Sequence, residues 1–213
     1  MKKEKVKKRR FKTWPIIIVL VLICFIILLL CLKDIYQSLK SGSASQVEIL
    51  YTIENYGYTL NENDSEYVEK KFKELKKELE HETPDEEIYA SLMSQIFVAD
   101  FYSLKQAINK NDIGGTQFVY DAYQQDFVQS AKTSVYAYIE NNIYGTRKQE
   151  LPMVSEVEVT SIEHTEYDGN TISDDEAYEV DLFLTYEEDL NYPTHVTLIL
   201  AHINNKLQIV KMQ

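Results

Sequence analysis

Cysteine is nearly absent from this sequence of 213 residues, and the two that occur, Cys24 and Cys31, both lie in one apolar stretch. The rest of the chain can therefore form no disulfide and supplies no thiol nucleophile. An exported domain without disulfides depends on its hydrophobic core for stability, which suits a bacterial surface better than an animal secretory pathway. The two thiols lie seven residues apart on one helix face, either as apolar fillers or as a packing seam between two copies.

The motifs of common catalytic and ligand-binding sites are also missing. The pair Gly114-Gly115 stands in an Asn/Asp-rich turn, without the spacing or the lysine of a phosphate-binding loop. There is no HExxH or GxSxG sequence, and His195 and His202 are predicted on opposite faces of one strand. The loop 168–176 departs from the calcium-loop pattern and is interpreted as a solvated hairpin loop. We therefore predict no catalytic residue, no metal ligand and no cofactor.

Positive charge is concentrated at the N-terminus. The first twelve residues contain eight Lys or Arg and one Glu, so the net charge of −12 for the chain leaves −19 for residues 13–213. So acidic a surface is repelled by nucleic acid, and this argues against nucleic-acid binding despite the basic tail.

A long apolar run follows the basic residues. Residues 14–32 contain no charge, and as a helix they would extend roughly 28 Å, close to the hydrocarbon thickness of a bilayer. The basic flank predicts a cytoplasmic N-terminus, with residue 33 onward on the outer side. A cleavable signal peptide is the alternative, but its apolar region is usually shorter. We therefore predict a single-pass protein of the cell membrane.

These patterns divide the chain into four predicted parts. They are a basic cytoplasmic tail (1–12), a transmembrane helix (13–32), a juxtamembrane linker or short helix (33–62) and an extracytoplasmic α+β domain (63–213).

Three stretches of the outer domain have helical periodicity. The first begins near Asn63, which has capping-box spacing to Glu66. The second begins at Thr83, a hydroxyl residue placed to cap the helix just before a proline. The third runs over 121–142, with an apolar stripe that continues to Tyr138.

From Leu151 onward the periodicity changes from 3.6 to two, which is typical of strands with one buried face. A half-buried strand is predicted over 178–186, and two final strands over 195–203 and 206–212. Asn204-Asn205 suits a two-residue turn between the last two, because Asn tolerates positive φ. The predicted fold class is α+β, with a single N-terminal transmembrane helix followed by about three helices packed on a curved four-stranded antiparallel sheet.

This order of elements resembles the bitopic assembly subunits of type IV secretion and Gram-positive conjugation systems, whose outer domains have the cone-shaped fold of nuclear transport factor two. The resemblance covers nearly the whole chain, at the level of element order. Many family members have an Asn-Pro-x-Gly turn, where this chain has Asn191-Tyr192-Pro193-Thr194, so no residue role is carried over. The resemblance implies a non-enzymatic scaffold that binds other membrane subunits or itself.

The resulting hypothesis is a membrane-anchored, non-catalytic extracytoplasmic interaction or scaffold protein of a bacterial envelope complex. Its expected partners are other membrane or envelope proteins, with self-association as an open alternative. All sixteen tyrosines lie in the outer part, where they mark either an interaction surface or strands. The alternative is a ligand-binding or sensing module with a pocket between sheet and helices, and an enzyme acting on envelope polymers comes third. A scaffold predicts an exposed aromatic patch over a filled interior, whereas a sensor predicts an open pocket.

Overall fold

A β hairpin begins the part of the chain that the computed structural model describes, residues 49–213. Its strands, β1 (Ile49–Ile53) and β2 (Tyr58–Asn61), pair antiparallel, and Gly57 adopts a φ of 71° in the turn between them. The sequence predicts a juxtamembrane linker or short helix over 33–62, and the described part of that range contains this hairpin instead. Tyr58 and Leu60 of β2 are fully buried, so the hairpin belongs to the folded domain.

Three α-helices follow: α1 (Glu66–Leu79), α2 (Glu86–Tyr102) and α3 (Asp121–Thr133), with a 3-10 turn at Thr116–Phe118 before α3. Helix α1 is amphipathic and buries one stripe, formed by Val68, Phe72, Leu75 and Leu79. Helix α2 is buried on almost every side beyond its first turn, which is typical of a helix enclosed between other elements.

The first two helices begin two residues later than their sequence patterns predict. Ser65, not Asn63, caps α1, because its hydroxyl accepts the Val68 N–H at 3.1 Å. Asp85, not Thr83, caps α2 by accepting the Ile88 N–H at 3.1 Å. A carboxylate at this position also interacts favourably with the positive end of the helix dipole, which a hydroxyl does less well.

Helix α3 ends at Thr133, and the predicted continuation to residue 142 is wrong. The Ser134 hydroxyl donates to the Ser130 carbonyl at 2.7 Å, and the Tyr136 N–H bonds the Ala131 carbonyl at 2.9 Å, as in a helix-ending turn. Tyr136 is consequently buried, whereas Tyr138, expected on the apolar stripe, is 88% exposed.

Four antiparallel strands form the main sheet in the order of the sequence. They are β3 (Val154–Asp168), β4 (Ser173–Tyr186), β5 (His195–Ile203) and β6 (Lys206–Met212). The predicted turn between the last two is confirmed, since Asn204 and Asn205 have φ values of 53° and 64°. The alternation predicted for β4 is also present, with Val180, Leu182 and Leu184 all buried.

The core lies between α2 and one face of this sheet. Helix α2 packs against β3, β4 and β5, while α1 packs against α2. A smaller apolar cluster lies apart from this core; its buried members are Ala177, Ile199, Ala201, Ile203 and Val210, against which Tyr120, Tyr123, Tyr167 and Ile172 pack.

The fold-class prediction needs correction, although its α+β class is confirmed. Between residues 49 and 213, none of the helices combines the length and the apolar character that a membrane crossing requires. The prediction also lacks the β1–β2 hairpin. The segments 1–12, 13–32 and 33–48, with their predicted tail, transmembrane helix and linker, lie outside the described residues.

Candidate interaction surface

His195 and His202 lie apart on β5, as the strand pattern predicts, whereas His164 of β3 and His202 both lie near the Tyr178 ring. His195 contacts the Phe183 ring, with centroids 4.9 Å apart. Within residues 49–213, no group of three or more His, Cys, Asp or Glu side chains is arranged to hold a metal ion.

His202 instead links three elements through its ring. Its Nδ1 lies 2.9 Å from Asp174 Oδ2 on β4, and its Nε2 lies 3.3 Å from Glu86 Oε2 in the first turn of α2. Burial would raise the pKa of Asp174, but hydrogen bonds from the His202 and Glu176 backbone N–H groups and from the His202 ring lower it overall. The loop 168–176 is the end of the β3–β4 hairpin, as the sequence predicts; in it Asp174 binds His202, and Asp168 accepts the Ser173 hydroxyl at 2.7 Å.

Gly114 and Gly115 have a structural role, because they allow their segment to pack closely against Asp100. A Cβ at Gly114 would collide with the Asp100 carbonyl group, and the Gly115 N–H donates to Asp100 Oδ2 at 2.6 Å. Asp100 keeps some solvent access as a residue, but its carboxylate is surrounded by protein atoms. This burial raises the pKa of Asp100 to about 7, with Asp64 and Asp112 adding to the effect and the Gly115 N–H opposing it. The sequence gives no sign of this, because the three acids are far apart in it.

The interior between α2 and the sheet is filled by side chains. Met93 and Phe97 of α2 have no exposed surface, and the facing Leu182 and Leu200 are 1% and 0% exposed. This packing is the one expected for a scaffold and leaves no open cavity among these four side chains.

Exposed apolar side chains among the described residues are concentrated in two segments. Apart from Ile88, the large ones are Ile49, Leu50 and Tyr51 of β1, and Tyr138, Ile143 and Tyr144 between α3 and β3. We call residues 134–150 the aromatic loop. The exposed fractions of Tyr138, Ile143 and Tyr144 are 88%, 55% and 86%, so these side chains contribute little to the core.

The aromatic loop is held in place by hydrogen bonds from polar side chains. Arg147 donates through Nη2 to the Lys105 carbonyl at 2.6 Å and through Nη1 to the Ala107 carbonyl at 2.7 Å. Its backbone N–H donates to Asn142 Oδ1 at 3.0 Å, and the Asn142 N–H donates to the Ile108 carbonyl at 2.8 Å. Arg147 thus ties the loop to the chain that follows α2.

A second set of bonds holds the loop to itself. Gln149 accepts the Glu140 N–H and donates to the Tyr138 carbonyl, both at 2.9 Å. At the start of the loop, the buried Tyr136 hydroxyl donates to the Phe101 carbonyl of α2 at 2.7 Å. The loop therefore presents its exposed aromatic rings from an ordered backbone. Composition allows the tyrosines to mark either a surface or strands, and it does not distinguish buried Tyr136 from exposed Tyr138.

Comparison with models of known protein families, with curated proteins and with solved structures finds no match in any of the three. The resemblance to secretion and conjugation assembly subunits therefore stays a prediction from element order. What the structure itself defines is an α+β domain with a filled interior and two exposed apolar segments.

Proposed function

We propose that this protein is a non-catalytic interaction protein whose domain binds a partner protein through the aromatic loop. The observation that carries the proposal is the exposure of Tyr138, Ile143 and Tyr144 on a backbone fixed by Arg147 and Gln149. Exposed tyrosines away from the core are typical of contact surfaces, because the ring gives apolar area and the hydroxyl gives a hydrogen bond.

The order of the loop supports this use. Binding costs conformational entropy when a loop must be fixed by the partner, and a loop already fixed by its own hydrogen bonds avoids most of that cost. Tyrosine adds large contact area with only two side-chain torsions to restrict. By fixing the loop through two carbonyl oxygens, Arg147 therefore favours affinity for the partner, even though its own side chain is only partly exposed.

The proposed location is the outer face of a bacterial cell membrane, as part of an envelope complex. The basic residues 1–12 and the acidic remainder of the chain support this placement, and the resemblance to assembly subunits supports the kind of complex. External protease applied to intact cells stripped of their wall should digest residues 49–213. Complete protection of these residues would contradict the proposed location.

The sensing alternative is less well supported. It requires an open pocket between the sheet and the helices, and Met93, Phe97, Leu182 and Leu200 occupy that region. An enzyme would need a pair of acids in such a pocket. The acids with altered pKa, Asp64, Asp100 and Asp174, instead accept hydrogen bonds from the Asn61 N–H, the Gly115 N–H and His202 respectively.

The test is chemical crosslinking in living cells, followed by purification of the tagged full-length protein. We expect one or more specific crosslinked species that disappear in the triple variant Tyr138→Ser/Ile143→Ser/Tyr144→Ser. The matched control is Ile88→Ser, which also removes an exposed apolar side chain (46% exposed) but outside the loop. Crosslinks unchanged in the triple variant, or lost equally in the control, would contradict the proposal.

A further inference from the structure

The hairpin has one closed and one open edge among the described residues. The outer edge of β2 is closed by Gln117: the Thr59 N–H donates to its Oε1 at 2.7 Å, and its Nε2 donates to the Thr59 carbonyl at 2.9 Å. Strand β1 pairs with β2 on one side only, so its other backbone edge is open in this part of the chain.

The open edge of β1 has none of the features that prevent strand pairing. Ile49, Leu50 and Tyr51 are 56%, 46% and 44% exposed, and Ile49–Ile53 contains no charge and no proline. Edge strands of this kind readily accept another strand. Because Tyr58 and Leu60 are buried, the hairpin is also fixed before any partner arrives.

Strand β3, an edge strand of the main sheet, is by contrast protected. Its register shifts between Val159 and Ser161 and again between Thr165 and Tyr167, and such bulges interrupt pairing. The Val157 carbonyl is occupied by the Tyr67 hydroxyl at 3.0 Å and by the Gln95 amide at 2.8 Å. Exposed glutamates add charge along this strand. The difference between the two edges indicates that the openness of β1 has a use.

Two lysines of α1 border the β1 edge. Lys73 Nζ lies 5.8 Å and Lys76 Nζ 6.0 Å from the centre of the Tyr51 ring. Each ammonium group also lies near a glutamate of its own helix, Glu69 at 2.5 Å and Glu80 at 3.9 Å. These exposed i,i+4 pairs are weak, so a carboxylate from a partner can compete for the lysines. Because both lysines are paired in this way, the border offers a free positive charge only when a partner carboxylate replaces the glutamate.

We propose that the β1 edge binds an extended segment of a partner protein in which apolar and acidic side chains alternate. The segment adds to the hairpin as a third strand: its backbone pairs with β1, its apolar side chains cover Ile49, Leu50 and Tyr51, and its carboxylates meet Lys73 and Lys76. Backbone pairing gives affinity in this mode of recognition, and the side chains give selectivity.

A second copy of this chain is a poorer occupant. The β1 strand of a second copy, Ile49–Ile53, contains no carboxylate that could meet Lys73 and Lys76. Pairing of β1 with the β3 edge of another copy is opposed by the bulges and by the occupied Val157 carbonyl.

The experiment uses the full-length protein in detergent and a fluorescent peptide with the sequence of residues 154–160, VSEVEVT, which alternates valine with glutamate. Fluorescence anisotropy should show saturable binding. A peptide with lysine in place of both glutamates, and one N-methylated at alternate amides, should bind at least about tenfold more weakly, because they lack the charge and the backbone donors respectively.

Two double variants of the protein distinguish a specific contribution of Lys73 and Lys76 to peptide binding from a general effect of net charge. Lys73→Glu/Lys76→Glu should weaken binding of the glutamate peptide about tenfold or more and favour the lysine peptide. The matched control Lys70→Glu/Lys77→Glu changes the net charge equally on the same helix and should alter affinity less than about threefold. Equal effects of the two variants would overturn the proposed contact.

Three further results would overturn the proposal. They are absence of glutamate-peptide binding, equal binding of the N-methylated peptide, and protection of β1 amides from hydrogen exchange without peptide. Self-association that is lost in Lys73→Glu/Lys76→Glu would replace the proposed partner with a second copy.

The inference rests on the proposed role as an interaction protein but uses a different surface. The triple variant of the aromatic loop should bind the peptide normally, so the two proposals fail independently.

Discussion

The phenol oxygens of Tyr58 and Tyr89 are hydrogen-bonded at 2.6 Å inside the protein, where the hairpin, α2 and β6 meet. Both oxygens also lie near the Leu207 carbonyl, at 3.2 and 3.4 Å. One hydroxyl can donate to that carbonyl while the other donates to its neighbour. Burial raises the pKa of both tyrosines above 10, so both remain neutral and keep their donors. The pair joins segments nearly 150 residues apart.

We expect Tyr58→Phe and Tyr89→Phe each to lower the free energy of unfolding by about 1 kcal/mol, because each removes one buried hydrogen bond. The double variant should lose less than the sum of the two, since both changes remove the same bond. Urea unfolding measures these values. Tyr138→Phe, at an exposed position, is the control and should change stability by less than about 0.5 kcal/mol. Strictly additive losses would show that the phenols do not interact.

Asp100 predicts a pH dependence of stability. Its pKa is about 7 in the folded protein and ordinarily 3.8, so between these values the folded state holds a proton that the unfolded state has lost. The free energy of unfolding should therefore fall as pH rises from about 4 to 7, and this contribution should level off above 7.

The change that tests this is Asp100→Asn, which keeps an oxygen to accept the Gly115 N–H but cannot ionise. At pH 8 it should be more stable than the wild type by on the order of 2 kcal/mol, and near pH 4 the difference should vanish. Denaturant titrations across this range measure the difference. The exposed Asp175→Asn is the control. A constant difference between wild type and Asp100→Asn at all pH values would contradict the assignment.

Gly114 and Gly57 require glycine for different reasons: at Gly114 there is no space for a side chain, and at Gly57 the backbone has a positive φ. Gly114→Ala should destabilise the protein by at least about 2 kcal/mol, because the new methyl group would collide with the Asp100 carbonyl. Gly57→Ala meets no atom within 4 Å, and its cost of about 1 kcal/mol should come only from a φ of 71°. Thermal unfolding compares them. A larger loss for Gly57→Ala would contradict the close approach at Asp100.

Arg147→Lys should loosen the aromatic loop without removing any of its aromatic side chains. A lysine cannot reach the Lys105 and Ala107 carbonyls together, because it lacks the planar fork of donors. We expect faster hydrogen exchange over residues 138–147 and weaker crosslinking to the partner, with a loss of stability of about 1 kcal/mol. The neighbouring exposed Lys148→Arg is the control. Unchanged exchange rates would mean that Arg147 does not order the loop.

The sheet was more predictable than the surface, for physical reasons. In β4 a short alternation of apolar and polar residues determines which face is buried, and Asn204-Asn205 determines the turn between β5 and β6, so local sequence was sufficient for these features. Hairpin β1–β2 depends on contacts such as Tyr58 with Leu207, which local patterns do not contain. The end of α3 likewise depends on Tyr136 reaching Phe101.

The residues that form the candidate surface could not be predicted from the sequence. The tyrosine content is compatible with an interaction surface or with strands, and it does not identify Tyr138 and Tyr144 as two of the most exposed rings. Their exposure follows from the early end of α3 and from the bonds of Arg147, both of which arise from tertiary contacts. The open edge of β1 could not be inferred, because the sequence does not reveal which strands lie at an edge.

Gln117 joins β2 to the segment before α3 by imitating a peptide group: its amide gives Thr59 one donor and one acceptor at the spacing of a neighbouring strand. A single codon therefore decides whether the hairpin is attached to the rest of the molecule at this point. Glutamate would keep the acceptor and lose the donor, and alanine would lose both. Related chains could accordingly gain or lose this one attachment through a single substitution, while the buried Tyr58 and Leu60 continue to hold the hairpin in the domain.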